Sequence, residues 1–289
     1  MKKSSFFSWL KDVSISKKLY FIVGAMAFLI VIELITLWFA IHTLSSVRAL
    51  IGAEGLWSKA QKDALYHLGK YNRAHDETDY TAFKKFMAVP LGDHKTRMEL
   101  FKQKPDMTIA RQGFIEGRVH PDDIDGMIKL LRNFNQIDYI NKAIVYWSAG
   151  DSVISRLMPI GEALHKEIQS PSFSQEKANE IIKELDPINE QLTALEDNFS
   201  YTLEEGSRWL ENLILKVVFS VALTVEITGL ILTIMVSSGI SKGLREINRA
   251  TNELAKGNLT ARATVFSKDE IGQVAIAVNQ MTEQLILSN

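Results

Sequence analysis

The chain has 289 residues, 46% hydrophobic and 23% charged, with 33 Lys and Arg against 34 Asp and Glu. Such a balance leaves no basic excess to neutralise phosphates, which argues against a nucleic-acid partner. The lack of cysteine excludes disulfides, thiolate chemistry, iron–sulfur clusters and Cys-ligated zinc. A chain both this charged and this apolar has to concentrate its hydrophobic residues.

It does so in two runs. Residues 19–41 carry a single charge, Glu33, and residues 213–237 carry Lys216 near their start and Glu226 inside. A helix of about 20 apolar residues crosses about 30 Å of hydrocarbon, so both runs read as membrane spans. Tyr20, Phe21, Trp38 and Trp209 stand where interfacial aromatic anchors belong. The first run also resembles a signal peptide, with basic residues before it and Ala25-Met26-Ala27 as a cleavage-like tripeptide. That tripeptide lies in the middle of an apolar run too long for a signal sequence, so the reading is an uncleaved anchor. Lys2, Lys3, Lys11, Lys17 and Lys18 precede the first span, and Lys242, Arg245 and Arg249 follow the second. By the positive-inside rule both termini are cytoplasmic. The expected organisation is a cytoplasmic N-terminus 1–18, spans 19–41 and 213–237, an outer domain 42–212 and a cytoplasmic segment 238–289.

The outer domain reads as helical. It lacks hairpin turn signals, and Leu185, Ile188, Leu192, Leu195 and Phe199 recur at 3-4-3-4 spacing. Punctuation predicts four long pieces: 44–77, then 80–117 interrupted at Pro90 and Pro105, then from His120-Pro121 to about 168, and finally from Ser174 into the second span. A chain that leaves a membrane and returns needs an even number of passes, so the expectation is an up-down-up-down antiparallel bundle, kinked or divided at Pro90, Pro105, Pro159 and Pro187. Two stacked helical modules fit the same punctuation. The fold class is all-α.

Catalytic and metal signatures are missing. His67 and His75 are eight apart rather than at the i,i+4 spacing that zinc helices favour, and His120-Pro121-Asp122-Asp123 reads as a helix start. No phosphate loop or nucleophile elbow occurs. No cofactor, metal or catalytic residue is expected. Arg73 and Arg111 are candidate partners for an anionic ligand, as are Arg97 and Arg118, while Trp57 and Trp147 are candidate pocket walls. For each, an ordinary exposed arginine or buried tryptophan is the simpler reading. The ligand, small molecule or protein, is unnamed.

After the second span the pattern sharpens. Ile240, Leu244, Ile247, Thr251 and Leu254 form one narrow apolar seam, and Gly257 stands at the C-cap. A polar linker with Leu259 and Val265 follows. Asp269-Glu270 then opens a second helix bearing Ile271, Val274, Val278, Met281 and Leu285. Two short seams cannot fold alone, and two chains supply four helices around one core, so a homodimer is expected.

These fifty or so residues resemble the HAMP domain of bacterial transmembrane receptors. The matching positions are Ile240 to Leu244, Gly257-x-Leu259, Asp269-Glu270-Ile271-Gly272 and Asn279-x-Met281 before Leu285. The family usually has proline where Gly243 stands, which puts the rotational coupling to the membrane helix in doubt. The resemblance implies an inner-membrane sensory receptor that passes a stimulus through its second span to a cytoplasmic output module, a histidine kinase first, with a methyl-accepting chemoreceptor or diguanylate cyclase as alternatives. No residue of such a module is in this chain, which reads as a sensor part with no catalysis of its own. The rival classes are a passive membrane scaffold, a conduit using Glu33 and Glu226, and an anchored enzyme.

Overall fold

The structure is a computed structural model that describes residues 12–288. Lys2, Lys3 and Lys11, which enter the orientation argument, lie outside the described residues, as does Asn289. Every regular element among the described residues is an α-helix. In chain order these are α1 (Ile15–Ala74), α2 (Glu77–Leu100), α3 (Met107–Glu116), α4 (Pro121–Asn133), α5 (Asp138–Ile154), α6 (Leu157–Ile168), α7 (Gln175–Ile182), α8 (Leu185–Ala255) and α9 (Glu270–Ser288). Both α1 and α8 contain a stretch long and apolar enough to cross a membrane. The chain divides into a large unit, Trp38–Leu215, and a small unit made of Met1–Leu37 with Lys216–Asn289.

The large unit holds two hydrophobic cores. In the first, Leu50 and Ala53 of α1, Leu100 of α2, Phe114 of α3, Ile124 and Met127 of α4, Ala143 of α5 and Leu203 of α8 pack together. The second gathers Leu68 and Tyr71 of α1, Phe83 and Met87 of α2, Ile154 of α5, Leu157 and Leu164 of α6, Ala178 of α7, and Leu185, Ile188 and Leu192 of α8. Reading these memberships along the chain recovers the topology. Helix α1 passes from the first core to the second, α2 returns, α5 goes out again and α8 returns. The four alternating passes are those expected from the sequence. Helices α3 and α4 pack into the first core, and α6 and α7 into the second, so the bundle has two stacked cores.

The segment from Pro121 to 168 is where the sequence reading differs most. It is three helices rather than one, broken at 134–137 and at Ser155-Arg156. Of the four prolines expected to kink or divide the bundle, only Pro105 separates helices. Pro90 lies buried inside α2, which continues through it. Pro159 and Pro187 fall in the first turns of α6 and α8, where a backbone N–H has no intrahelical partner to lose.

Local chemistry sets the ends. Asp76, Asp106 and Ser174 cap α2, α3 and α7 by accepting backbone N–H bonds, and His120 does the same for α4 with Pro121 at its first position. Helices α2 and α3 approach backbone to backbone: a Cβ on Gly92 would collide with the Gly113 carbonyl. Thr96 Oγ1 donates across that seam to the Ala110 carbonyl at 2.9 Å. At the far end of the second core, Tyr71 donates to Glu77 at 2.7 Å, and the rings of Tyr80 and His165 stack with centroids 4.0 Å apart.

Candidate functional site

The small unit contains the end of α8, a connector and α9. Gly257 ends α8 at φ +89°, a backbone conformation that residues with a β-carbon rarely adopt. The connector is held at several points. Ala263 donates its N–H to Asn279 Oδ1 at 2.8 Å, and Asn279 Nδ2 returns a bond to the Ala263 carbonyl at 2.9 Å. Arg249 donates to the Arg262 carbonyl at 3.0 Å, and Lys242 Nζ lies 4.3 Å over the Phe266 ring. Asp269 caps α9, accepting the Gly272 N–H at 3.2 Å and bonding Ser267 and Lys18. Glu270 accepts the Ile15 N–H at 2.7 Å, so both carboxylates reach the start of α1. Burial alone would raise the Asp269 carboxyl, but the bonds from Lys18, Ser267 and Gly272 outweigh it and hold Asp269 below its ordinary range.

The two helices meet through small residues. Ala250, Ala263 and Ala275 form their buried core, with Ile247 packed against it. The large apolar residues of the sequence-predicted seam lie elsewhere: Leu244, Val265, Val274, Met281 and Leu285 are exposed, and Ile240, Leu254, Leu259, Ile271 and Val278 are only partly covered. Residues 235–286 match the family model described as HAMP domain. The chain carries a HAMP domain. No curated protein and no solved structure matched the chain in the same comparisons. A HAMP domain beside two helices fit to cross a membrane is the composition of a HAMP-containing transmembrane sensory receptor, and the coarse function is transmembrane signal transduction.

Gly243, where the family's proline is replaced, is not a loose joint. Helix α8 continues through it, and Gly243 is buried where a Cβ would strike the Ile271 side chain. Glycine here permits close contact between α8 and the start of α9. Gly272 is similarly forced, because its missing Cβ would overlap the Ser267 carbonyl.

The span residues Glu33 and Glu226 are partly covered and exposed, respectively. Val225 and Gly229, which flank Glu226, are buried, and a Cβ on Gly229 would meet Met26. Helix α8 therefore turns its small-residue face toward α1 and points Glu226 elsewhere.

The large unit contains a cavity beside its first core, bounded by α1, α2, α3, α4, α5 and α8. Trp57 and Trp147, candidates from the sequence, both line it. The candidate arginines do not. Arg111 pairs with Asp125 on the surface, Arg73 borders a different groove with Lys62 and Asp186, and Arg118 lies over the Phe86 ring. Arg97 donates to Asp151 at 2.5 Å, joined there by His94 at 3.0 Å. Sequence reasoning missed the three acidic lining residues, Glu54, Asp93 and Glu196, the last two only 4% and 7% exposed. A signal existed for Glu196, which lies four residues after Leu192 and three before Phe199, within the apolar repeat. Burial pushes the Asp93 carboxyl well above its ordinary range, with Asp151 adding to the shift. Burial also raises Asp151 against the opposing Arg97 and His94, and raises Glu196 against Lys62.

Proposed function

We propose that the chain is the sensing and relaying part of a homodimeric receptor. In this reading 42–212 is an extracytoplasmic sensor domain, 19–41 and 213–237 are the spans, 238–289 is the cytoplasmic HAMP relay, and both termini are cytoplasmic. Of the output modules that a HAMP domain serves, a histidine kinase in a bacterial inner membrane is the one proposed. The lysines and arginines that follow the second span support this orientation.

One observation carries the dimer: the apolar seam of the HAMP helices is left uncovered by its own chain, with Leu244 51%, Val274 48% and Met281 47% exposed. A second copy of the same seam covers it in a four-helix arrangement. Helix α8 belongs to both units, so a shift of its 185–215 stretch has a covalent route to the HAMP seam. There, two packings separated by a few kcal/mol suffice for a switch that differential binding can bias.

Because the chain has no cysteine, introduced cysteines have no background. Val274→Cys and Val278→Cys are expected to crosslink between chains in membranes under mild oxidant, and Gln273→Cys and Ala277→Cys to do so poorly. Equal crosslinking at all four positions overturns the seam, and no crosslinking at any overturns the dimer.

A further inference from the structure

We propose that the cleft of the small unit, where α8 leaves the second span and meets the connector, binds the headgroup of an anionic phospholipid. The inference rests on the membrane-receptor reading above and names a partner for its relay.

The cleft has an apolar top and a cationic floor. It begins at Met235 and Val236, the last apolar residues of the second span, and continues past Ser238, Lys242 and Arg245. Those three polar residues stand at i, i+4 and i+7, so they form one stripe along α8. Phe266 of the connector closes one side, with Lys242 Nζ 4.3 Å over its ring. Asp269 is the acidic residue among the described lining, and Lys18 already pairs with it. Lys242 and Arg245 are exposed, and among the described residues no carboxylate pairs with either. The sequence ahead of α1 adds Lys2, Lys3 and Lys11 and no acid up to residue 11.

Helix geometry brings the two cations to headgroup level. With Val236 at the edge of the hydrocarbon, Lys242 is about 9 Å and Arg245 about 14 Å beyond it, at 1.5 Å per residue. Side chains on an α-helix lean toward its N-terminus, which for this part of α8 is the membrane, and long cationic ones reach back to the headgroups. The headgroup layer is about 5–7 Å deep on each side of the core. The stripe also avoids the dimer seam. Lys242 is two residues from both Ile240 and Leu244, Arg245 is two from Ile247, and two residues turn a helix by about 200°. The cleft offers about 440 Å³, room for a headgroup, and nothing stands within 4 Å of where a Cβ on Gly239 would be at its mouth. A free anion would use the floor and leave the apolar top empty. A zwitterionic lipid would bring its own cation against the floor. A phospholipid with net negative charge uses both, as juxtamembrane lysines and arginines generally attract such lipids.

Native mass spectrometry of the full chain in nonionic detergent tests this, by titration with phosphatidylglycerol and with phosphatidylcholine of the same acyl chains. Phosphatidylglycerol is expected to bind about tenfold or more tighter. Lys242→Gln with Arg245→Gln is expected to remove that preference, and Lys242→Arg with Arg245→Lys to keep it. Gly239→Leu fills the open mouth at unchanged charge and is expected to weaken phosphatidylglycerol about fivefold or more. Lys256→Gln removes a cation about 30 Å below the span, beyond several Debye lengths, and is expected to change nothing. Equal affinity for the two lipids, or a preference that survives the double glutamine variant, overturns the proposal. A loss as large with Lys256→Gln, or no loss with Gly239→Leu, reduces the effect to diffuse surface charge and overturns the site. Displacement of the lipid by excess inorganic phosphate assigns the floor to a free anion and overturns the lipid. The cysteine crosslinks of the HAMP seam, made in membranes, read the receptor separately. A missing lipid preference beside intact crosslinks discards this site alone, and missing crosslinks beside an intact preference discard the dimer alone.

Discussion

The large unit buries aromatic and long aliphatic side chains: Tyr71, Phe83, Phe114, Met87 and Leu164 are each less than 2% exposed. The HAMP unit buries two helical alanines and one of the connector, and leaves Leu244, Val274, Met281 and Leu285 exposed. Hydrophobic stabilisation scales with apolar area removed from water, at about 25 cal/mol per Å², so an alanine core contributes little and a phenylalanine core contributes much. The large unit therefore has what a single chain needs to fold. The HAMP pair has a contact that sets the spacing of α8 and α9, and in the homodimer proposed above the rest of its core comes from a second chain. Such a division suits a relay. In that reading a module whose main core is intermolecular changes packing without unfolding the large unit.

The sharpest break of this comparison comes from Phe83. It is fully buried in the second core, and its ring fills the space where a Cβ on Gly161 would stand. Phe83→Ala removes a large side chain from a site clamped by helices on all sides, with an expected cost of about 3–5 kcal/mol. Urea unfolding in nonionic detergent, followed by fluorescence of Trp57 and Trp147 in a background with Trp9, Trp38 and Trp209 changed to Phe, measures it. The cost is expected to be the same at high and low protein concentration. A cost that grows on dilution would mean the large unit also depends on its partner, and the contrast between the units would collapse.

Next in size is Gly257. Its φ of +89° is unfavourable for any residue with a β-carbon, yet nothing lies within 4 Å of where that carbon would be. The whole penalty is therefore backbone strain, about 1–2 kcal/mol for Gly257→Val. Because the strain falls at the junction of α8 and the connector, the variant is expected to fix the output of a fused reporter kinase in one state and to leave the urea unfolding of the large unit unchanged. A reporter that responds normally shows that the turn is incidental to switching.

How much of this was legible in the sequence follows from which forces act locally. The caps at Ser174 and His120-Pro121 and the turn at Gly257 are decided within a few residues, and each is readable from spacing alone, whereas the cap at Asp76 fell inside the piece expected over 44–77. The breaks at 134–137 and Ser155-Arg156 carry neither glycine nor proline. At each break the flanking helices pack into the same core, Leu131 and Ala143 into the first and Ile154 and Leu157 into the second, so the turn is fixed by tertiary packing and has no local mark. The cavity was half visible. Trp57 and Trp147 stand out as large and scarce, whereas Asp93 and Glu196 look like ordinary surface charge until their neighbours are known. Arginines were the natural candidates for ligand contact, yet Arg97 and Arg111 each have a carboxylate partner within the protein. At Gly243 the missing family proline puts the coupling in doubt from sequence alone, and only the position of Ile271 shows that the glycine is a contact.

The smallest expected effect lies at the start of α1, where Asp269 and Glu270 of HAMP hold residues 12–18 through Lys18, Ile15 and the bond from the Lys268 N–H to Asp12. Asp269 is held below the ordinary aspartate value near 3.9. Between the folded and unfolded values the unfolded chain binds the proton and the folded chain does not. The stabilisation from this carboxylate is therefore fully present above the unfolded value and is lost as pH falls through the folded one. Glu270 also holds the start of α1 through the Ile15 N–H, so Glu270→Gln serves as the background in which Asp269 alone is read. A nitroxide on Lys17→Cys, at an exposed position, reports whether the segment is held. In that background the label is expected to be immobile at pH 7 and to gain mobility as pH drops below about 4. Adding Asp269→Asn is expected to make it mobile at pH 7 already and to flatten the acid limb. An identical acid limb with and without Asp269 would place the hold on some other group, and α1 would then be tied to HAMP by packing rather than by charge.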